Sequence, residues 1–126
     1  MPVANDLLLS LDLDQLAVPA VRRDVAECAG AAGLSGVGLD DFVLAVHEAV
    51  TNAVRYARSP RVLRLWREGD RVLCEVSDGG PGIASGPSRT PTGGRGLWLM
   101  HRLTTIVVST APEGTTVRLT VGLSRG

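Results

Sequence analysis

The chain has 126 residues, 44% of them hydrophobic, and a formal net charge of zero. This length suits one domain with its own core, so we expect residues 1–126 to form a single domain. The balanced charge removes the simplest argument for direct nucleic-acid or anionic-membrane binding. All 13 basic residues are Arg, and the absence of Lys excludes a P-loop and a eukaryotic-type protein kinase, since each needs a Lys at the phosphates.

Targeting signals and cysteine usage both favour a cytoplasmic protein. No apolar run approaches the ~20 residues of a membrane-spanning helix, and the first residues lack the basic region of a secretory signal. Cys28 and Cys74 are far apart and form no CxxC pair, which indicates reduced core residues. We therefore expect a soluble protein with no membrane attachment.

The first third of the chain predicts a strand followed by a helix. Leucines at alternate positions from Leu7 to Leu13 indicate a strand with one apolar face. A helix is predicted from Val18-Pro19, because Pro is tolerated in the first turn of a helix. Glycines recur through residues 30–38, which are predicted to end this helix and form a loop.

A second and longer helix is the clearest element of the sequence. Asp40 is a suitable N-cap, the helix is predicted to run to about Ala57 or Arg58, and Ser59-Pro60 ends it. Its apolar positions fill one arc when projected at helical periodicity; they are Phe42, Val43, Val46, Ala49, Val50, Ala53, Val54 and Ala57. The polar arc holds His47, Glu48, Thr51, Asn52 and Arg55.

The second half of the chain predicts four strands, one short helix and a loop. The strands are predicted at residues 62–67, 72–77, 105–110 and 115–121, the helix at 96–103 and a mobile loop at 84–92. Hairpin-paired strands with helices gathered on one face predict an α+β fold. The expected architecture is a two-layer α/β sandwich with a mixed, mostly antiparallel sheet covered on one face by helices.

Glu48 and Asn52 lie one helical turn apart on the polar arc. They are either part of a solvated helix face or a functional pair. In a functional pair, Asn52 would offer a neutral oxygen to Mg²⁺, and Glu48 would polarise a hydroxyl or water near a metal-held phosphate. A zincin site is excluded because Thr51 stands where the second His of that motif is needed.

Asp78 leads into a turn that contains Gly79, Gly80 and Gly82. The segment is either a simple tight turn or a base-binding element. Strand alternation places Asp78 on the covered side of the sheet, where its carboxylate could accept a hydrogen bond from an exocyclic amine such as that of adenine. Thr115 alternates with apolar residues in the last strand, so it too is predicted to point into the covered face, towards a backbone partner or a base.

A glycine loop then leads into the predicted short helix. Gly93, Gly94, Arg95 and Gly96 stand just before an apolar segment, and a flexible loop at a helix N-terminus is suited to anions. Arg95 could add a charge-assisted hydrogen bond to a phosphate. The alternative is a helix-entry loop with a surface Arg.

Taken in order, these segments resemble the ATP-binding superfamily of gyrase, histidine kinases and MutL, the Bergerat fold. The segment Glu48 to Ala53 looks like the N box, Asp78 to Gly82 matches the D-x-G-x-G box, Gly93 to Gly96 looks like the second glycine box, and Gly114 to Val117 resembles the closing G-T-x-V. Within the superfamily, the nearest likeness is to small bacterial anti-sigma factor serine kinases of the RsbW and SpoIIAB type. The likeness covers nearly the whole chain.

The resemblance implies a set of residue roles. Glu48 would be the catalytic base and Asn52 the Mg²⁺ ligand, while Asp78 would bind the adenine amine of ATP or ADP. The remaining implied cofactor-binding residues are Gly80, Gly82, Gly94, Arg95, Gly96 and Thr115.

The resemblance also implies partners. Such proteins bind and silence a sigma factor, release it when an antagonist binds, and phosphorylate a Ser of that antagonist; a homodimer fits as well. An anti-sigma factor kinase is thus the first hypothesis for function. The alternative is a non-catalytic ATP-binding module whose nucleotide state sets its affinity for a partner. A detached histidine-kinase catalytic domain is a less favoured third interpretation, because no upstream phosphoacceptor helix pair is seen.

Overall fold

A computed structural model of the protein describes residues 5–80, 105–111 and 114–123. The described elements are, in chain order, β1 (Asn5–Asp12), α1 (Val18–Ala32), α2 (Gly36–Tyr56), β2 (Val62–Glu68), β3 (Arg71–Asp78), β4 (Thr105–Ala111) and β5 (Gly114–Gly122). The predicted loop at residues 84–92 and the predicted short helix at residues 96–103 lie outside the described residues.

The five described strands form one sheet in the order β1-β2-β3-β5-β4, and every pairing among them is antiparallel. Helices α1 and α2 pack on one face of this sheet, α1 against β1 and α2 against β3 and β5. The predicted α+β sandwich is therefore confirmed. Neither described helix combines the length and apolarity that crossing a membrane requires.

Strand β1 departs from the simple alternation expected of its leucines. Leu9 and Leu11 pair with the buried Leu65 and Leu63 of β2, but the register shifts between Leu7 and Leu9. Such an irregularity adds one residue to a strand and reverses the side to which the preceding residues point. Leu7 consequently lies opposite Trp66 and is 55% exposed.

The predicted boundary between the two helices is wrong. Helix α1 continues through Gly30 to Ala32 and ends at Gly33, whose φ is 125° and whose N–H donates to the carbonyls of Ala29 and Gly30. Helix α2 begins at Gly36, so the connection shrinks from the predicted loop at residues 30–38 to three residues. A glycine costs a helix about 1 kcal/mol relative to alanine, and packing between the two helices offsets this cost.

Helix α2 buries a wider arc than its periodicity predicts. Val54 is 37% exposed, whereas Ala45 and Asn52 are buried at 0% and 3% exposure. The reason is the central position of α2, which contacts the sheet on one side and α1 on another. A helix with two packing partners buries residues at the border between its apolar and polar faces, Asn52 among them.

Candidate functional site

Glu48 and Asn52 lie on successive turns of α2, with Glu48 half-buried and Asn52 almost fully buried. The Asn52 Nδ2 donates to the backbone carbonyl of Glu48 at 2.9 Å. This hydrogen bond fixes the orientation of the amide, because it commits the nitrogen to the helix backbone. The Oδ1 atom is left as the acceptor that Asn52 can present to a ligand.

Asp78 ends β3 directly opposite Thr115 of β5. The Gly80 N–H donates to Asp78 Oδ1 at 2.7 Å, and the backbone N–H of Thr115 also hydrogen-bonds the carboxylate. Burial raises the pKa of Asp78 above its usual range, and these two N–H groups and the charge of Arg61 only partly oppose that shift. The structure thus holds a carboxylate in a partly desolvated position at a strand end.

The segment that follows α2 is hydrogen-bonded to the turn that follows Asp78. Gly79 N–H donates to the carbonyl of Arg58 at 2.7 Å, and Arg58 N–H donates to the carbonyl of Gly80 at 3.1 Å. This pair of backbone bonds joins the C-terminal end of α2, the helix that carries Asn52, to the turn that holds the Asp78 carboxylate. Two segments that are distant in sequence are thereby brought together.

Two glycines permit this close backbone packing. A Cβ added to Gly79 would collide with the carbonyl oxygen of Ser59, and one added to Gly114 would collide with the carbonyl oxygen of Asp78. At Gly79 the near neighbour is the backbone of the segment after α2, so this glycine serves the assembly of the turn.

Gly114→Ala is expected to destabilise the protein by about 3 kcal/mol or more, because the new methyl group meets a rigid backbone oxygen and the residue has a φ of 155°. Gly122→Ala is the matched control, since it lies in the same strand with nothing within 4 Å of the added Cβ. Urea unfolding of both variants measures the effect. Equal unfolding midpoints would contradict the close packing described for Gly114.

Arg61 supports the same region and was not identified from the sequence. Its Nε donates to Asp14 Oδ1 at 2.6 Å, and its terminal nitrogen donates to the carbonyl of Val54 at 2.8 Å near the end of α2. A cation at a helix C-terminus satisfies carbonyls that lack partners within the helix and interacts favourably with the helix dipole. A basic residue shortly after a predicted helix end was the available signal.

The structure therefore brings together Asp78, Gly80 and Thr115, and it joins their turn to the helix of Glu48 and Asn52. The other predicted cofactor-binding residues, Gly82, Gly94, Arg95 and Gly96, lie outside the described residues. In the part of the chain that the structure describes, no three His, Cys, Asp or Glu side chains are grouped so that they could hold a metal ion. A metal at this place would depend on a neutral amide and on oxygens of a ligand.

Comparison with known proteins identifies the family. Residues 9–121 match the family model of the histidine kinase-like ATPase domain, which is nearly the whole chain. The protein therefore belongs to the histidine kinase-like ATPase domain family. No curated protein matches the chain in sequence.

Among solved structures, the chain is similar to the crystal structure of the RsbU and RsbW domains of Rv1364c from Mycobacterium tuberculosis. The two share 25% sequence identity with a TM-score of 0.73, and the match covers 99% of this chain. The match covers 34% of the length of that structure, so this chain corresponds to only one part of the Mycobacterium tuberculosis structure.

Proposed function

We propose that the protein binds ATP and acts in the cytoplasm as an anti-sigma regulator, with serine kinase activity towards an antagonist of the anti-sigma factor. One observation carries the nucleotide part of this proposal. The Asp78 carboxylate is partly desolvated, held by two backbone N–H groups, and joined through Arg58 to the helix that presents Asn52.

In this proposal Asp78 recognises the adenine amine. A carboxylate is an acceptor only, so it suits an exocyclic NH₂ group and disfavours a carbonyl at the same place. Gly80 and Thr115 anchor the carboxylate through their N–H groups, and the free lone pairs remain for the base. Because Thr115 lies directly opposite Asp78 in the paired strands, its side chain would form part of the base-binding surface.

The donor set of α2 fits Mg²⁺ bound together with a nucleotide. Mg²⁺ uses oxygen ligands and commonly takes only one or two from the protein, the others coming from phosphates and water. Asn52 Oδ1 would supply the protein ligand, since its amide nitrogen is already bonded to the Glu48 carbonyl. The metal would neutralise charge on the phosphates when bound. Glu48, one turn away, would accept the proton of the attacking hydroxyl.

The regulatory part of the proposal rests on the family and on the solved neighbour. That neighbour contains an RsbW domain and aligns with 99% of this chain, and the sequence segments Glu48 to Ala53 and Asp78 to Gly82 fall within the matched residues. The partners proposed on this basis are a sigma factor and an antagonist protein that carries the target Ser. A homodimer would be compatible with this role.

A binding-only module is the second candidate. The geometry around Asp78 supports it equally, because both candidates require nucleotide binding at that site. In such a module, ATP would change partner affinity without phosphoryl transfer, and Glu48 would be a half-buried carboxylate of the helix face. The two candidates therefore share the Asp78 site and differ only at Glu48.

Calorimetric titration of the protein with ATP in the presence of Mg²⁺ tests nucleotide binding. We expect binding of ATP and ADP and much weaker binding of GTP, which presents a carbonyl oxygen where adenine has its amine. Removal of Mg²⁺ with a chelator is expected to weaken ATP binding. If neither adenine nucleotide bound, both candidate functions would be wrong.

A further inference from the structure

A groove separate from the candidate nucleotide site runs between α1 and α2. Its volume is about 520 Å³, which lies within the range of ligand-binding clefts. Ala26 of α1 and Leu39 and Val43 of α2 form apolar parts of its lining. Glu48, Asn52, Asp78, Gly80 and Thr115, the described residues that are predicted to bind nucleotide or act on it, do not line the groove. The groove is thus a second concave surface of the helical layer.

The charge around this groove is unbalanced towards cations. Arg22 and Arg23 line its α1 side and are exposed, and neither forms an ion pair with another described residue. Among the described residues of the lining, Asp40 is the one carboxylate. Adjacent unpaired guanidinium groups over an apolar floor are complementary to a ligand that carries carboxylates beside apolar groups.

His47 supplies an independent sign that the groove lacks a partner. It lines the groove from α2, and its Nδ1 is buried without a hydrogen-bond partner in the described structure. A buried polar atom without a partner costs about 1–3 kcal/mol. A ligand in the groove could recover this cost if the imidazole turned so that Nδ1 faced the groove.

The geometry points to a docking site for an acidic amphipathic helix of another protein. The two helices that form the groove are joined by only three residues and pack side by side. The groove follows part of their length, along residues 19–26 of α1 and residues 39–47 of α2. A helical segment can place apolar side chains at i, i+3 and i+4 on Ala26, Leu39 and Val43. Its carboxylates would then contact Arg22 and Arg23, and a polar group would contact His47. A small inorganic anion would leave the apolar floor uncovered.

Selection from a displayed library of helical peptides tests this assignment on the full chain. We expect the selected peptides to combine Asp or Glu with apolar residues at helical spacing. Binding of a selected peptide should shift backbone amide resonances of α1 and of residues 36–47 of α2. Changing its acidic residues to amides should weaken binding about 10-fold, and added salt should weaken it as well.

Matched variants separate the groove from general charge effects. The double variant Arg22→Ala/Arg23→Ala is expected to weaken peptide binding about 10-fold. The double variant Arg64→Ala/Arg67→Ala removes the same charge from exposed positions of β2 and is expected to leave binding unchanged. Both variants should keep the thermal unfolding temperature and the ATP affinity of the parent. Because ATP affinity is measured separately, a loss of peptide binding can be told apart from a loss of function at the nucleotide site.

Three results would overturn the proposal. One is a selection that yields no peptide whose binding depends on Arg22 and Arg23. Another is a set of amide shifts confined to residues outside the groove. The third combines two observations made without peptide: amide resonances of the groove residues that shift with protein concentration, and a dimer in analytical sedimentation. Together they would assign the groove to a second copy of this chain.

Discussion

Asp78→Asn is expected to weaken ATP binding about 10- to 100-fold, the range for loss of a hydrogen bond to a charged group. The substitution replaces one carboxylate oxygen with an NH₂ group. This donor would face the amine of adenine, which is also a donor, so the hydrogen bond between them would be lost. The remaining oxygen can still accept the N–H group of Gly80, so the turn that follows Asp78 should keep its shape.

The same substitution is expected to stabilise the protein in the absence of nucleotide. Because burial raises the pKa of Asp78, ionisation is disfavoured in the folded state. Below the ordinary pKa of an Asp, the carboxyl is protonated in both the folded and the unfolded chain, and burying it costs no ionisation energy. As the pH rises through the raised pKa of the folded state, the wild-type protein loses stability. Asp78→Asn removes the ionisation, so its advantage in unfolding free energy should grow from pH 4 towards pH 7.

Calorimetry and urea unfolding at several pH values measure both effects of the Asp78 change. Asp70→Asn is the matched control, since Asp70 is exposed in the turn between β2 and β3. It should leave the ATP affinity unchanged. Equal ATP affinity for Asp78→Asn and the wild type would show that Asp78 does not recognise adenine.

Glu48→Ala is expected to lower the rate of phosphoryl transfer about 10²- to 10⁴-fold, the range for loss of a general base. ATP affinity should change little, because Glu48 is assigned to the attacking hydroxyl and Asn52 to the metal. Transfer is measured with radiolabelled ATP and an antagonist protein that carries the acceptor Ser. Glu48→Gln should show the same loss, since it keeps the size of the side chain but cannot take the proton.

Glu27→Gln serves as the control for Glu48, because Glu27 is an exposed glutamate on α1. Its rate of transfer should equal that of the wild type. Transfer that persists undiminished in Glu48→Ala would exclude Glu48 as the base. A wild-type chain that binds ATP and transfers no phosphate to any antagonist would favour the binding-only module.

Local periodicity predicted much of the fold. Alternation in β3 and β5 correctly placed Val72, Cys74, Val76, Thr115 and Val117 on the covered face, because a strand has only two faces and one of them is packed. Helical periodicity identified α2 for a similar reason. The bulge in β1 reversed Leu7, since one inserted residue changes the face without changing the pattern of leucines.

Long-range contacts account for what periodicity missed. The α1–α2 boundary differs from the prediction because packing between the two helices outweighs the local glycine content. Arg61 was missed because its partner Asp14 is 47 residues away. The burial of Asn52 follows from the two-sided packing of α2, which no single-helix projection contains.

The sequence by itself determined the types of the described elements and the chemistry of the candidate site, since these depend on residue identity and short-range spacing. It placed a carboxylate before a glycine turn and an amide one helical turn after a carboxylate. Only the tertiary structure decided that Arg58 joins these two segments and that the Asp78 carboxylate is partly desolvated. Hydrogen bonding and desolvation at the site depend on contacts between residues far apart in the chain.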